Sequence, residues 1–190
     1  CHFGAFGTAC LDTASARVTW RNQKHKVMHE NGPGSSPVLH ENYLILHMDG
    51  SDKQYVLALN KHTGESVWQT TRSGRLNNNP QLKKAYGTPL LLEMNGKTTV
   101  VSTGADWLYG YDPSNGKELW KIHYGILGFS NVSRPVAGNG MLFFSTCFMK
   151  ANILAMKYEG LEKPELKWKF TKGAPKMPSP ILVGNELYYV

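Results

Sequence analysis

Four of the five tryptophans recur at nearly equal intervals along the 190-residue chain. Trp20, Trp68, Trp120 and Trp168 are separated by 48, 52 and 48 residues. Self-similarity at a fixed period of roughly 20 to 50 residues is typical of repeat architectures, in which each unit buries its apolar surface against its neighbours. The spacing therefore predicts four related structural units.

Each tryptophan belongs to a predicted motif of a strand, a turn and a second strand, and it lies on the second strand. An Asp or Asn lies eight residues before each of the first three tryptophans, and a glycine follows it by four residues in the second and third units. An Asx side chain at a strand end hydrogen-bonds the turn backbone, and glycine supplies a positive φ. In the fourth unit Lys157 replaces the Asx residue, and the interval lengthens to eleven residues. The structural positions of this motif are Asp12, Asn60, Asp112, Gly64 and Gly116.

A second pair of strands is predicted upstream of each motif. A Xaa-Pro dipeptide begins an apolar run, a turn signal interrupts it, and another apolar run follows. One unit is therefore four short antiparallel strands, and no segment shows a sustained helical period, so almost no helix is expected. The turn signals are Glu41-Asn42, Asn95-Gly96, Asn139-Gly140 and Gly184-Asn185.

Four strands in about 48 residues favour an all-β fold, a β-propeller made of four-stranded antiparallel blades, about four per chain. Val67 and Trp68 are adjacent and so face opposite sides of the sheet, from which we expect both faces of the outer strands to be covered. A β-sandwich more often leaves one face of each strand in water.

The two ends of the chain are expected to contribute to one blade. Residues 1–190 are interpreted as a single propeller unit of four repeats, with one blade split between 180–190 and 1–20. Unpaired half-blades expose strand edges. Three assemblies satisfy this pattern: a closed four-bladed ring, an eight-bladed dimer, or part of a longer propeller. We favour the homodimer or the larger propeller.

The net charge of +7 permits attraction to nucleic acid, anionic lipid or acidic glycans. Seven lysines lie between Lys150 and Lys176, where we expect a solvated face. Nucleic-acid binding is not expected, because Trp168 and Phe170 are predicted to point inward and leave these lysines without exposed aromatic neighbours.

The sequence lacks the patterns of several other kinds of site and segment. The cysteines Cys1, Cys10 and Cys147 form no Cys-x-x-Cys motif. No apolar run is long enough to span a membrane, and the first ten residues show no signal-peptide pattern. No metal site is expected, since His25 and His29 lie in a loop rather than on one helix face.

The pattern A-x-D-x-x-T-G-x-x-x-W resembles the tryptophan-docking repeat of the PQQ-like β-propeller family. It occurs here as Ala58, Asn60, Thr63, Gly64 and Trp68. The family includes quinoprotein alcohol dehydrogenases and the lipoprotein propeller of the outer-membrane assembly machine. The resemblance implies an extracytoplasmic location, and it implies that the repeat tryptophans lie between neighbouring blades.

The resemblance does not extend to catalytic residues. Quinoprotein dehydrogenases hold their cofactor with a calcium ion, a catalytic Asp and a disulfide between adjacent cysteines, and this sequence has no Cys-Cys pair. Their calcium ligands cannot be matched residue by residue. We therefore expect no enzyme activity and no cofactor; PQQ with calcium belongs only to the alternative hypothesis of a quinoprotein dehydrogenase segment.

Ligand binding is expected on the loops between blades and between the second and third strands, because these share one end of a propeller. Residues 72–86 form the longest such loop, longer than most connections. Trp107 is the one tryptophan outside the repeat phase; it is interpreted as an exposed anchor, with packing at the sheet edge as the alternative. The candidate ligand-binding residues are His29, Asp49, Asp52, Arg72, Arg75, Asp106, Trp107, Asn131 and Arg134.

The leading hypothesis is a noncatalytic scaffold that presents these loops to a protein or polymeric ligand. A quinoprotein dehydrogenase segment is the first alternative. Polysaccharide binding through Trp107 and polar residues around it is the second.

Overall fold

The computed structural model describes residues 1–146 and 148–189. Three four-stranded antiparallel sheets follow one another along the chain, preceded and followed by a two-stranded hairpin. We call the four-stranded sheets blades I to III. The first hairpin comprises β1 (Thr8–Leu11) and β2 (Val18–Asn22). Blade I comprises β3 (Val38–His40), β4 (Tyr43–Asp49), β5 (Gln54–Asn60) and β6 (Ser66–Thr71). Blade II comprises β7 (Leu90–Met94), β8 (Lys97–Thr103), β9 (Trp107–Tyr111) and β10 (Glu118–His123). Blade III comprises β11 (Val136–Gly138), β12 (Met141–Ser145), β13 (Ile153–Lys157) and β14 (Glu165–Phe170). The second hairpin comprises β15 (Ile181–Val183) and β16 (Glu186–Tyr188).

The expected all-β architecture is confirmed, with sheets stacked as the blades of a propeller. The inner strand β3 lies beside β7, and β11 lies beside β15. The helical segments among the described residues are two short 3-10 turns, Gly4–Phe6 and Pro80–Lys83. In this part of the chain, no helix has the length and apolar character needed to cross a membrane.

The predicted hairpin turns occur in the expected places. In blade II, Met94 pairs with Lys97 across a two-residue turn, and Gly138 pairs with Met141 in the same way in blade III. Asn95 has a φ of 50° and Gly96 a φ of 72°. Two positive φ values in succession match the twist of antiparallel strands, which explains the preference for Asn-Gly at these positions.

The Asx turns between the third and fourth strands also form. Asn60 accepts hydrogen bonds through Oδ1 from the backbone N–H groups of His62 and Thr63. Asp112 accepts from the N–H and hydroxyl of Ser114. The Asx oxygens thus accept backbone N–H groups of the turn that have no partner on a neighbouring strand, and this stabilises the turn at the end of the strand.

Each of the first two tryptophans packs on the Asx turn of the following blade. Trp20 Nε1 donates to the carbonyl of Lys61 at 3.0 Å, and Trp68 Nε1 donates to the carbonyl of Pro113 at 2.9 Å. The indole rings cover the glycines of these turns: a Cβ on Gly64 would lie 2.4 Å from Trp20 Cε3. Glycine is thus required both for its positive φ and for this close approach.

A polar residue two positions after the tryptophan adds a second link between blades. Asn22 Nδ2 donates to the carbonyl of Gly64 at 2.7 Å, and Thr70 Oγ1 donates to the carbonyl of Gly116 at 2.6 Å. The side chains of Trp20 and Asn22 therefore hold both sides of one turn. This polar position was not predicted from the sequence.

A β-bulge precedes the tryptophan in every unit. In blade I, Ala58 pairs with Trp68 and Leu59 with Ser66, so Val67 has no partner in the register. Val67 is 46% exposed, and its counterpart Leu119 is 45% exposed. The expectation that both faces of the outer strands are covered is therefore wrong at these bulges, which direct one apolar side chain to the surface.

Apolar clusters fill the spaces between successive sheets. Leu92 and Val101 of blade II pack with Leu142 and Phe144 of blade III in one cluster. A second cluster joins blade I to blade II, and a third joins the first hairpin to blade I. Since each buried apolar side chain contributes roughly 1.5 to 3 kcal/mol, stacking between blades is a main source of stability.

The last two tryptophans differ in burial. Trp120 is buried between blades II and III, as the family resemblance implied. Trp168 is 44% exposed, and Phe170 is exposed on the same strand. The prediction that both point inward is wrong, because the hairpin that follows blade III has only inner strands and leaves the outer half of that blade uncovered.

The hairpins β1–β2 and β15–β16 form separate two-stranded sheets, not hydrogen-bonded to each other among the described residues. The proposed completion of one blade by residues 180–190 and 1–20 stays a prediction. Cys147 and Val190 lie outside the described residues.

Candidate ligand-binding face

Connections between antiparallel strands alternate between the two ends of each blade. We call one end the loop face: it has the loops between blades and the loops joining second to third strands. The opposite end, the turn face, has the two-residue hairpins and the Asx turns. The loop face comprises residues 23–37, 50–53, 72–89, 104–106, 124–135, 148–152 and 171–180.

A cavity of about 560 Å³ lies on the loop face, where loops from successive blades meet. This volume is within the range of ordinary ligand pockets, roughly 300 to 1,000 Å³. Every interblade loop contributes to its wall, and so does the loop after β12. The lining residues are Asn31, Gly32, Pro33, Gly34, Gln81, Lys84, Tyr86, Phe129, Ser130, Val132, Phe148 and Met177.

Backbone hydrogen bonds between loops hold one wall of the cavity in place. The N–H of Tyr86 donates to the carbonyl of Asn131 at 2.6 Å, and the N–H of Ser130 donates to the carbonyl of Lys84 at 2.6 Å. These two bonds join the interblade loops 72–89 and 124–135 as a short strand pair. A Cβ on Gly34 would lie 2.9 Å from Tyr86 Cβ, so glycine permits the third loop to approach.

The cavity wall is largely apolar. The rings of Phe129 and Phe148 are 5.7 Å apart, with their planes at 57°. Phe148 is 56% exposed and Met177 is 70% exposed. Large apolar side chains grouped around a depression in the surface are typical of binding sites rather than of ordinary surface.

Lys84 is the charged residue in the cavity wall. Its side chain is buried, and Nζ lies 3.1 Å from Glu30 Oε2 and within hydrogen-bond distance of Gln81. Hydrogen bonds from Gln81 and Lys84 lower the pKa of Glu30. Because the carboxylate stays ionised, it neutralises the Lys84 ammonium at the cavity wall.

A buried polar cluster links blades I and II below the loop face. Arg72 Nε donates to both carboxylate oxygens of Asp49 at 3.1 Å. The same guanidinium donates to Ser102 Oγ at 2.8 Å and to Tyr111 Oη at 3.2 Å in blade II. It also lies 4.7 Å from the ring centroid of Tyr109. The Arg72 guanidinium thus links two blades, and the Asp49 carboxylate compensates its charge.

His47 completes this cluster as a neutral side chain. Burial lowers its pKa despite the adjacent carboxylate. His47 Nε2 donates to Asp49 Oδ2 at 3.0 Å, and Nδ1 accepts from Ser102 Oγ at 3.1 Å. Burial acts to raise the pKa of Asp49, but Arg72 and His47 outweigh it and hold that pKa below its ordinary value.

Asp49 and Arg72 were predicted to be ligand-binding residues, but the structure places them in this buried cluster, where their polar atoms are bound to one another. Asn131 is buried as well, and its Nδ2 donates to the carbonyl of Gly104 at 2.9 Å. These three side chains position the loops from below.

Trp107 is the first residue of the interior strand β9, at the loop-face end of blade II, and it does not line the large cavity. Its Nε1 donates to the carbonyl of Arg75 at 3.1 Å, and a Cβ on Gly74 would lie 2.7 Å from its ring. Trp107 is half-buried, and Lys121 Nζ is 5.8 Å from its ring centroid. A shallower cavity of about 360 Å³ lies nearby and includes Arg75 and Asp106. Burial raises the pKa of Asp106 above its ordinary value.

Of the other predicted site residues, His29 and Asp52 line a separate cavity of about 420 Å³ on the loop face. The ring of His29 is 5.2 Å from that of Tyr86. Asp52 accepts the backbone N–H of Met28 at 2.7 Å and so holds the first interblade loop. Arg134 is exposed, while its backbone N–H donates to Ser179 Oγ at 2.9 Å.

The ligand-binding residues predicted in these loops are polar, apart from Trp107, and none of the apolar residues of the cavity wall is among them. Phe129, Phe148 and Met177 all lie in loops of the kind that was expected to bind a ligand. Apolar residues next to Pro, Gly and Lys in a predicted loop were the available signal, since such segments are otherwise polar.

The fold and this face define the chain as a propeller of tryptophan-docked, four-stranded blades with a ligand-sized cavity on one end. A family model described as outer membrane protein assembly factor BamB matches residues 6–190. The chain belongs to this family of PQQ-like β-propeller repeat proteins.

Solved structures with the same fold include BamB from Moraxella catarrhalis. That likeness has 14% sequence identity and a TM-score of 0.56, and covers 96% of this chain and 64% of that one. A europium-containing methanol dehydrogenase gives 17% identity and a TM-score of 0.54, over 75% of this chain and 26% of that one. The quinohemoprotein alcohol dehydrogenase ADHIIG from Pseudomonas putida HK5 gives 15% identity and a TM-score of 0.50, over 74% of this chain and 20% of that one.

These likenesses show the fold, and the chain spans less than two thirds of the length of each of these proteins. Among curated protein sequences, none matches the chain.

The residues present do not fit a PQQ–calcium centre. The cavity wall includes no carboxylate, and calcium prefers several oxygen ligands of that kind. Asp49 is bound to Arg72 and His47, and no group of three or more His, Cys, Asp or Glu able to hold a metal ion exists among the described residues. The sequence also has no adjacent cysteines.

Proposed function

We propose that this chain is a noncatalytic scaffold that binds a protein partner through its loop face in an extracytoplasmic compartment. The observation that carries the proposal is the apolar cavity where loops of successive blades meet, with Phe148 and Met177 exposed at it. Exposed aromatic and methionine side chains next to a pocket are typical of protein interfaces.

Family membership supports a protein partner. The family description concerns assembly of outer membrane proteins, which is work on polypeptides rather than on a small substrate. The extracytoplasmic location follows from the same resemblance. A dehydrogenase activity is not proposed, because hydride transfer to a quinone needs a base against a bound cofactor, and the wall of the loop-face cavity has no carboxylate.

Photo-crosslinking tests the scaffold proposal. A benzoylphenylalanine in place of Phe148 or Met177 is expected to capture one and the same protein in cells that express the chain. The same group in place of Asn115 or Lys163, on the turn face, is expected to capture none. The captured protein is then purified, and its affinity for the wild-type chain is measured. Equal capture from both faces, or no binding by the purified partner, would contradict the proposal.

Reconstitution tests the absence of catalysis. The purified chain is mixed with PQQ and calcium, and reduction of an electron-accepting dye by alcohols and sugars is followed. We expect no turnover above that of the free cofactor. Turnover that depends on the protein would overturn the noncatalytic assignment.

A further inference from the structure

We propose that the cavity on the loop face receives an apolar side chain from an acidic protein segment. The inference rests on the proposed protein-binding function and adds the chemistry of the bound segment. It follows from three observations: the shape of the cavity, the chemistry of its wall, and the charge around it.

The shape favours an inserted side chain over a flat contact. Phe129 and Phe148 are tilted by 57° and enclose space, together with Tyr86 and Val132. Single-stranded nucleic acids use flat aromatic platforms on which bases stack. A walled apolar cavity of about 560 Å³ instead fits the aromatic or aliphatic anchor residues that dominate protein interfaces.

The cavity wall offers few polar groups to a ligand, the clearest being Tyr86 Oη, which has no hydrogen-bond partner among the described residues. Lys84 is bound by Glu30 and Gln81, and the backbone N–H groups of Tyr86 and Ser130 are used by other loops. The hydroxyl groups of a polysaccharide need hydrogen-bond partners. Their transfer from water into this cavity would therefore cost more free energy than the contacts with its wall return. An apolar side chain has no such requirement.

The surroundings of the cavity are positively charged. Lys83, Arg134, Lys150 and Lys176 lie within two residues of lining residues, and none of them forms an ion pair with another described residue. Arg134, Lys150 and Lys176 are exposed, and Lys83 is half-buried.

Acidic groups on or just below the same face are few, and of them Asp106 lies by the shallower cavity rather than in the wall of the large one. Asp49 is buried against Arg72, Glu30 pairs with Lys84, and Asp52 accepts the backbone N–H of Met28. The loop face therefore has uncompensated positive charge around an apolar cavity. Such a surface attracts a partner with negative charge flanking an apolar residue.

Binding of short labelled peptides tests this inference, with fluorescence anisotropy as the readout. The probe peptide has Asp, Glu and Ser around a central Leu-Phe pair. One matched peptide keeps the charge and replaces Leu-Phe by Ser-Ser, and another keeps Leu-Phe and replaces the acids by Lys. We expect the probe to bind at least about tenfold more tightly than either control, and to weaken as salt rises.

Protein variants locate the site. Phe148→Ala is expected to weaken probe binding by about tenfold or more, since truncating an anchor contact has effects of that size. Lys150→Glu with Lys176→Glu is expected to weaken binding and to reduce its salt dependence. Val67→Ala and Lys163→Glu make the same kinds of change elsewhere on the surface and should leave the affinity unchanged.

Three results would overturn the inference: equal binding of the Ser-Ser peptide, equal binding of the basic peptide, or tighter binding of single-stranded DNA or a sulfated polysaccharide that depends on Phe148. If the peptides fail while the crosslinks at Phe148 and Met177 still capture a partner that binds when purified, the scaffold function stands and the chemistry inferred for its ligand is wrong. If both experiments fail, the proposed function fails too.

Discussion

Gly116 faces two separate constraints, one from its own backbone and one from the neighbouring blade. Its φ is 74°, and the ring of Trp68 covers its Cα so closely that an added Cβ would lie 2.4 Å from Trp68 Cε3. Gly96, in a hairpin turn, has a φ of 72° but no neighbouring atom within 4 Å of an added Cβ. Substitutions at Gly96 and Gly116 therefore separate two contributions to the free energy of unfolding: the strain of a left-handed backbone, and the displacement of the docked indole.

We expect Gly96→Ala to lower the free energy of unfolding by about 1 kcal/mol, the usual cost of a left-handed conformation for a residue with a Cβ. Gly116→Ala is expected to cost a further 1 to 3 kcal/mol, roughly, because Trp68 must shift. Urea unfolding followed by tryptophan fluorescence measures both. Equal losses would show that the indole contributes nothing to the requirement for glycine.

Blades I and II are held together by polar as well as apolar contacts, and the polar part depends on Arg72. Its guanidinium binds Asp49 in its own blade and Ser102 in the next. Removing one member of a buried ion pair leaves a charge without compensation, which costs far more than the pair itself contributes.

We expect Arg72→Met to lower the free energy of unfolding by about 3 to 5 kcal/mol. The double variant Arg72→Met with Asp49→Asn should regain part of this loss, because the remaining polar group is then uncharged. Urea unfolding of Arg72→Met, Asp49→Asn and the double variant gives the coupling energy between the two side chains. Additive losses would mean that the two side chains do not act as a pair.

Much of each blade could be predicted because its signals are local. Asn95-Gly96 and the Asx motifs specify turns within a few residues, and both were found where expected. The bulge at Val67 and the Arg72–Ser102 hydrogen bond could not be predicted in the same way. The bulge depends on how a whole strand fits its partner, and the hydrogen bond joins residues 30 positions apart on different sheets.

The candidate site was predicted less well for a related reason. Polar loop residues such as Arg72 and Asn131 were predicted to bind a ligand because binding residues are concentrated on loops, and these loops share one end of the propeller. In the structure they are buried and hold the loops in position, while Phe148 and Met177 line the cavity. Whether a loop residue faces the cavity or the blade below depends on how four distant loops converge.

At the scale of the whole molecule, stability should decrease in mild acid. Burial lowers the pKa of His2 to about 4, and it also lowers the pKa values of His25, His29 and His47. In the unfolded chain histidines take up protons near pH 6.5, so the unfolded state binds more protons between that pH and the lower folded values. The pKa of Asp49 is also lowered, so its contribution is lost only at still lower pH.

We therefore expect the free energy of unfolding to fall as the pH decreases from about 7 towards 4. His47→Gln should reduce this slope by up to about 1.4 kcal/mol per pH unit, the value for one proton. His62→Gln, in an exposed Asx turn, provides the matched control. Stability that rises as the pH falls, or a slope unchanged by His47→Gln, would contradict this assignment.

The predicted sharing of one blade by the two ends of the chain leads to a last prediction, about association. Trp20 and Trp68 each dock on the turn of the next blade, whereas Trp168 remains exposed on β14. Among the described residues, β16 is hydrogen-bonded only to β15, so the sheet that follows blade III has no outer strands. We propose that the hairpin β1–β2 of a second copy covers this surface. Its Asx turn has Ala16, at a φ of 56°, where the docked turns have glycine, so its methyl group would crowd an indole placed as on Gly64.

Light scattering on the 190-residue chain is then expected to give twice 21.2 kDa at high concentration. Ala16→Gly should tighten the association because the crowding methyl is removed, and Trp168→Ala should weaken it because the docking ring is lost. Val67→Ala, an exposed apolar residue on an outer strand, should have no effect. A mass of 21.2 kDa for all four proteins at every concentration would mean that two copies do not complete a blade, and would leave further blades of a longer propeller as the cover for Trp168.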